Sequence, residues 1–285
     1  MTSTLATKIL LSAILPIASA AAANLKPETA AAWDQYVQTA DTLLQQRRTF
    51  LWIDEVPERA GMVRGRQIVV APAGPQVPKK VPSGLIHDWI GAAFIPGATM
   101  QDVLTVVRDY TRYKEYSRPN VTVSRPLATG ESQDRFSMVL LNKSLFSKTA
   151  LESEYRASYI RLDERRWYSV SETTRIQEIA EYGAPGQHLL PEDQGTGLIW
   201  RLHSVTRFEE RDGGLYVEVE VIALSRDIPA AVRWIAEPIV RRVSRDSLAT
   251  ALRQTSEATY AAIERKYAAA GSGPSRSLCR GPGSF

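Results

Sequence analysis

The sequence predicts an α+β fold in which a curved antiparallel sheet precedes one long C-terminal helix. Strand-like segments follow one another from residue 121 to residue 225, and no helical repeat separates them. The segment 212–214 (DGG) gives a strong hairpin signal. Apolar residues then recur at helical spacing over 232–252. Because the strands are joined by short turns, we expect their pairing to be antiparallel.

The composition is typical of a soluble globular protein. The chain has 285 residues, of which 44% are hydrophobic and 23% are charged, and this excludes collagen, a coiled-coil rod and wholesale disorder. The formal net charge of +4 is too small to indicate a nucleic-acid partner. One cysteine, Cys279, excludes an intramolecular disulfide framework, and three histidines without ligand spacing predict no metal site. No cofactor is predicted.

Both ends of the chain differ from the middle. Residues 1–23 are typical of a secretory signal peptide, with Lys8, an apolar run over 9–17 and the small-residue cleavage signal at 18–20 (ASA). We therefore expect a periplasmic or secreted protein, with an uncleaved N-terminal anchor as the alternative. Residues 268–285 are rich in Gly, Ser, Pro and Arg and predict a disordered tail.

Residues 24–83 form an N-terminal extension to the main domain. Apolar residues predict a helix over 28–48. The stretch 49–83 is irregular, and its short apolar run at 68–71 fits a strand or a covering arm. The sequence does not decide whether this stretch packs on the sheet or covers a pocket.

The main domain is predicted over 84–267. Thr99 is suited to cap a helix that runs from Met100 to Tyr116. Proline interrupts helical hydrogen bonding, so Pro238 predicts a short helix before it and a long helix that starts near it and ends near Lys266. The predicted strands are 85–95, 121–127, 135–141, 145–162, 167–181, 198–210 and 215–225.

Four segments of this domain carry a resemblance to a known superfamily. They are 89–99 (WIGAAFIPGAT), 200–202 (WRL), 207–214 (RFEERDGG) and 224–229 (LSRDIP). Over about 84–266 the chain resembles the START-like (SRPBCC) helix-grip superfamily, which includes polyketide cyclases and plant pathogenesis-related proteins, and within it a group of exported bacterial proteins. The resemblance implies a helix-grip fold and a partner that is a lipid or another hydrophobic small molecule. It implies no common catalytic residue.

Alternation along two strands predicts the side chains that face the interior. Trp200, Leu202 and Ser204 share one face of the first strand, and Val219 and Val221 share one face of the second. We assign these faces to the interior because Arg201 and Arg207 occupy the opposite face and are costly to bury unpaired. These side chains line a ligand pocket or, alternatively, belong to a filled core.

The closing helix supplies the rest of the predicted site. Trp234, Ile239 and Val243 belong to an apolar stripe that is expected to form the other wall of the cavity. Its opposite side carries five arginines, for which peripheral contact with anionic lipids and a solvated, ion-paired face are the two interpretations. The arginines are Arg233, Arg241, Arg242, Arg245 and Arg253.

Polar residues leave an enzymatic alternative open. Glu218 and Glu220 either form an ion-paired sheet face or turn inward toward an arginine such as Arg175, and Glu220 with Glu172 is a conceivable carboxylate pair. His203 is a general-base candidate or a satisfied structural histidine. His188 lies in the loop 183–197, which is placed to gate a pocket mouth.

The sequence favours an exported binder or carrier of a lipid or other hydrophobic molecule over an enzyme. The enzymatic alternative is a cyclase, dehydratase or hydrolase that acts on an apolar substrate in the same cavity. The third hypothesis is a cell-envelope interaction protein without a ligand, which would use residues 24–83 and the arginine face. The sequence indicates neither the ligand nor the oligomeric state.

Overall fold

The computed structural model describes residues 23–74, 76–143 and 148–269. The predicted signal peptide up to residue 22, and the predicted tail from residue 270, lie outside the described residues.

Five α-helices are described. They are α1 (Pro27–Gln45), α2 (Pro57–Arg64), α3 (Met100–Val107), α4 (Tyr113–Tyr116) and α5 (Arg233–Ala269). Short 3₁₀ helices span Trp52–Glu55 and Ala230–Val232. The helix predicted over 28–48 is confirmed as α1, and Thr99 caps α3 through a reciprocal capping box with Asp102.

Most of the strands belong to one antiparallel sheet. The described strands are β1 (Ala23–Asn24), β2 (Val69–Pro72), β3 (Lys79–Val81), β4 (Gly84–Pro96), β5 (Val121–Thr129), β6 (Gln133–Lys143), β7 (Lys148–Arg161), β8 (Arg166–Ala180), β9 (His188–Leu189), β10 (Gln194–Gly195), β11 (Arg201–Arg211) and β12 (Gly214–Arg226). Their order in the sheet is β2-β4-β12-β11-β8-β7-β6-β5, with β3 beside β4 and β9 beside β8. The separate pair β1–β10 ties the start of the described chain to the loop after β9.

The hairpin between β11 and β12 is the one that the sequence signals. Arg211 pairs with Gly214, so that the turn contains only Asp212 and Gly213. Both residues have positive φ angles, 57° and 74°. Such a turn matches the right-handed twist of the two strands.

The concave face of the sheet packs on α5 from Leu248 onward. Leu248 and Leu252 are buried there against residues of β4, α3 and the central strands. A Cβ atom on Gly91 would lie 3.0 Å from Leu252 Cδ1, so the glycine allows α5 to approach β4 closely. The order of elements and this packing confirm the predicted helix-grip fold.

The N-terminal extension covers the outer face of the sheet. Trp33 of α1 packs with Ile86, Ile222 and Leu224. Farther along the extension, a second cluster joins Leu51, Ile53 and Val63 to Ala92 and Tyr216. The first part of the stretch 49–83, through α2, thus packs on the side of the sheet opposite α5. The rest of the stretch extends the sheet through β2 and β3, and its Val70 and Val77 pack with the core on the α5 side.

Two predictions about helix breaks were wrong: one predicted helix is interrupted, and one predicted interruption is absent. The predicted helix 100–116 is broken between α3 and α4, where Tyr110 turns into the core and donates a hydrogen bond to Asp134 Oδ2 at 2.9 Å. In α5, Pro238 lies inside one continuous helix. The hydrogen bond that Pro238 lacks would go to the carbonyl of Trp234, an exposed residue in the first turns of the helix, where solvent reaches the backbone.

Candidate functional site

Four of the predicted site residues lie together on the concave face of the central strands. Ser204 pairs with Val221 across β11 and β12, and Leu202 and Val219 occupy the same face two residues away. All four side chains are only half-buried. Leu202, Val219 and Val221 pack against the edge of the buried core that surrounds Leu252.

Trp200 lies elsewhere, contrary to the predicted alternation. β11 begins at Arg201, one residue after Trp200, so the period of two does not extend back to it. The indole is buried on the outer side of the sheet with Trp33 and Leu224. The structure therefore separates Trp200 from Ser204 and its neighbours.

The first half of α5 exposes the apolar residues that the sequence assigned to the cavity wall. Trp234 is 76% exposed, and Ile239 and Val243 are also exposed. A different side of this half-helix is half-buried, and it carries Ala236, Val240 and Ser244. The apolar side chains assigned to the cavity wall are uncovered and form a stripe together with Ile235.

Two polar side chains that the sequence analysis missed lie on the concave face of β4. His87 is buried, and its Nε2 lies 2.9 Å from Ser225 Oγ. His87 Nδ1 and Trp89 Nε1 are buried and have no hydrogen-bond partner among the described residues. Burial lowers the pKa of His87 to about 4, so the ring is neutral at pH 7. Strand alternation could have found them, because His87 and Trp89 share one face of β4 and Asp88 faces the other side.

The four acid–base candidates all lie on the outer face. His203 pairs with Glu172 across β11 and β8, and His203 Nε2 lies 3.1 Å from Asp41 Oδ1 of α1. Glu172 forms an exposed ion pair with Arg156. Glu218 and Glu220 lie under the N-terminal extension, where Glu218 bonds to Arg47 and not to Arg175. None of the four therefore contributes to the concave face.

The loop 183–197 is held on the outer side of the sheet. Its strand β10 pairs with β1, and Asp193 accepts hydrogen bonds from Arg201 at 2.6 and 3.2 Å. Thr196 donates to Glu178 Oε2 at 2.7 Å through its backbone N–H. His188 is exposed on β9. These bonds attach the loop to β8, β11 and the start of the described chain.

Within 23–74, 76–143 and 148–269, no group of three or more His, Cys, Asp or Glu side chains is placed to hold a metal ion. The helices in the same ranges include none that is both long and apolar enough to cross a bilayer.

The sheet, the closing helix and the half-buried apolar face between them define a helix-grip α+β protein. No protein-family model matches the chain, and no curated protein matches it in sequence.

Solved structures with partial likeness do exist. One is the STAR-related lipid transfer protein of Xanthomonas axonopodis (fragment 25–204), with 15% identity and a TM-score of 0.43 over 65% of this chain and 98% of that one. A human lipid transfer and protein localization domain has 7% identity and a TM-score of 0.40 over 73% and 97%. An aromatase/cyclase from a Streptomyces species has 13% identity and a TM-score of 0.34 over 66% and 99%. The fold of this chain is defined by its own element order and strand pairing.

Proposed function

We propose that the protein binds an apolar or amphipathic small molecule, such as a lipid, between the concave face of the sheet and the first half of α5. The observation that carries this proposal is the pair of incompletely covered apolar surfaces on the two elements. The sheet offers the half-buried Leu202, Val219 and Val221, and α5 offers the exposed Ile235 and Ile239. Soluble proteins rarely leave a contiguous apolar stripe uncovered unless it binds something.

The concave face also offers polar atoms that could orient a ligand. His87 Nδ1 and Trp89 Nε1 are buried without partners among the described residues, and an unmet buried donor costs about 1–3 kcal/mol. A few polar groups in an otherwise apolar site are typical of small-molecule pockets. A ligand with one hydrogen-bonding group and an apolar body would match both features. Burial of its chain contributes about 0.8 kcal/mol for each methylene.

We also propose that the protein is exported and that α5 contacts a membrane surface. Export to the periplasm or the medium is supported by the signal-peptide pattern of residues 1–23. Membrane contact is supported by the exposed stripe of α5, which Arg241 and Arg242 flank as exposed residues. A helix with an apolar side next to cationic residues binds at the surface of anionic bilayers. Such contact would bring the site to the source of its ligand.

Native mass spectrometry of protein purified from its own host, followed by lipid extraction, tests the proposal. We expect a non-covalent adduct that extracts into organic solvent. Val221→Trp places a large side chain in the proposed space and should remove the adduct, whereas Leu162→Trp, in the exposed turn after β7, should retain it. Protein that carries no adduct, and that also fails to take up a labelled fatty acid, would contradict the proposal.

A further inference from the structure

A cavity of about 670 Å³ lies on the other side of the sheet, under α1. Side chains of β4 and β12 form its floor, and α1 forms one wall. The 3₁₀ helix Trp52–Glu55 and the residues Gly74 and Lys79 complete it. Since the sheet separates this cavity from α5, it is distinct from the site of the proposed function.

Two buried carboxyl groups face this cavity from neighbouring strands. Glu220 pairs with Ile90, so Asp88 lies two residues farther along on the same face, at diagonal distance. Asp88 is 3% exposed, and Tyr36 donates a hydrogen bond to its Oδ2 at 2.8 Å. Its Oδ1 is buried and has no partner within the described part of the chain. One carboxylate oxygen at the cavity floor thus lacks a donor.

The nearby cations do not neutralise both carboxyl groups. Arg47 donates to Glu218 Oε1 at 2.8 Å, and its Nη2 comes only within 4.0 Å of Glu220 Oε2. Lys79 is exposed, and its Nζ lies 4.8 Å from the ring centroid of Tyr36. Arg47 is therefore shared between Glu218, which lies outside the cavity lining, and Glu220 of the floor.

Burial makes both carboxyl groups reluctant to ionise. Burial, together with the charge of Asp88, raises the pKa of Glu220 to about 7. Burial also raises the pKa of Asp88 to about 6. A cation bound between the two groups would favour their ionised forms and would gain from the low local dielectric.

The remaining lining determines which cation fits. Apolar side chains of α1 face the same space, along with Trp52 and Ile90. A cavity that is apolar along one wall and acidic at its floor suits an organic cation with an apolar body.

We propose that this cavity binds an amphipathic organic amine, with its ammonium group between Asp88 and Glu220 and its apolar part along α1. An ammonium supplies the donor that Asp88 Oδ1 lacks. The α1 side chains that line the cavity include Ala32, Ala40, Leu43 and Leu44.

Calorimetric titration with octylamine, and with octan-1-ol as its neutral match, tests this inference. We expect octylamine to bind at least about tenfold more tightly than octan-1-ol, which corresponds to one charge-assisted hydrogen bond. Asp88→Asn and Glu220→Gln should each remove most of that difference. Glu172→Gln is the matched control, because this outer-face carboxylate pairs with Arg156 at the surface and lies outside the cavity lining.

A further variant keeps the test decisive if a floor substitution prevents folding. Thr39 lines the cavity from an exposed position on α1, and Thr39→Lys would supply a cation that competes with the ligand. It should weaken octylamine binding without disturbing the sheet. Equal affinity for octylamine and octan-1-ol, or octylamine binding that survives in every cavity variant, would overturn the inference. Val221→Trp should leave octylamine binding intact, so a failure of the proposed function is distinguishable from a failure here.

Discussion

Arg47 Nη1 donates a hydrogen bond to Glu218 Oε1 at 2.8 Å and so joins the end of the α1 segment to the centre of the sheet. Glu218 is 2% exposed, and its other oxygen accepts the backbone N–H of Trp52 at 2.6 Å. The pair is buried because the N-terminal extension covers the polar face of β12. Arg47 and Glu218 are 171 residues apart in the chain.

Arg47→Ala should destabilise the protein by about 3–5 kcal/mol, because it leaves the charge of Glu218 buried without its main partner. Arg48→Ala is the matched control, since Arg48 is exposed, and it should change stability by less than about 0.5 kcal/mol. Urea denaturation followed by circular dichroism measures both free energies of unfolding. A loss for Arg47→Ala no larger than that for Arg48→Ala would contradict the assigned role.

Glu220→Gln should stabilise the protein more at pH 8 than at pH 5. The pKa of Glu220 is about 7 in the folded protein and 4.5 without the fold, so the folded state binds more protons between these values. Its contribution to the free energy of unfolding therefore falls as pH rises through this interval. The glutamine removes that loss, a gain on the order of 1–3 kcal/mol at pH 8.

Thermal unfolding of wild type and Glu220→Gln at each pH checks this prediction. Comparing the two proteins at the same pH cancels the titration of other groups to a first approximation, including His87, whose lowered pKa costs stability in acid. Glu172→Gln should show a much smaller change with pH. A difference between Glu220→Gln and wild type that is the same at pH 5 and pH 8 would refute the assignment.

Gly91→Ala should cost about 1–3 kcal/mol, because the added methyl group meets Leu252, Val70 and the carbonyl of Val69 at 2.9–3.1 Å. Gly61→Ala is the matched control within α2, where a Cβ atom has no neighbour within 4 Å. That control should be neutral or stabilising by up to about 1 kcal/mol, since alanine is the better helix former. Denaturant titration measures the free energy of unfolding of the two variants. Equal changes for Gly91→Ala and Gly61→Ala would contradict the close packing of α5 on β4.

Ile239→Glu should leave stability within about 0.5 kcal/mol of wild type, because this side chain is exposed on α5. It should nevertheless weaken binding of a labelled fatty acid and of vesicles that contain phosphatidylglycerol in phosphatidylcholine. Leu162→Glu, at another exposed apolar position, is the control for a general effect of charge. Fluorescence titration and vesicle sedimentation give the readouts. Unchanged binding by Ile239→Glu would mean that the exposed stripe does not serve the proposed function.

Local signals in the sequence predicted the elements that depend on neighbouring residues. The turn at Asp212 and Gly213, and the cap at Thr99, need only a few adjacent positions, and both predictions were confirmed. Pro238 was misjudged because the cost of proline depends on whether the freed carbonyl reaches solvent. That exposure is a property of the folded chain and not of the local sequence.

The arrangement of the sites depends on long-range packing and was harder to predict. Alternation placed Leu202, Ser204, Val219 and Val221 on one face, and the structure shows them together. It failed for Trp200, where the strand had not yet begun. The arginine beside Glu218 and Glu220 is Arg47, and it could not be predicted because it comes from the N-terminal extension. The cavity under α1 was missed for the same reason.

The outer layer also constrains the order in which the chain can mature. Residues 23–64 are synthesised before β12, although Ile222, Leu224 and Tyr216 of β12 belong to the clusters into which they pack. Closing such distant contacts is slow compared with forming local helices. Until β12 is made, Trp33 of α1 lacks Ile222 and Leu224 as packing partners, which leaves apolar surface uncovered in the nascent chain. This early segment is therefore among the last to reach its final place.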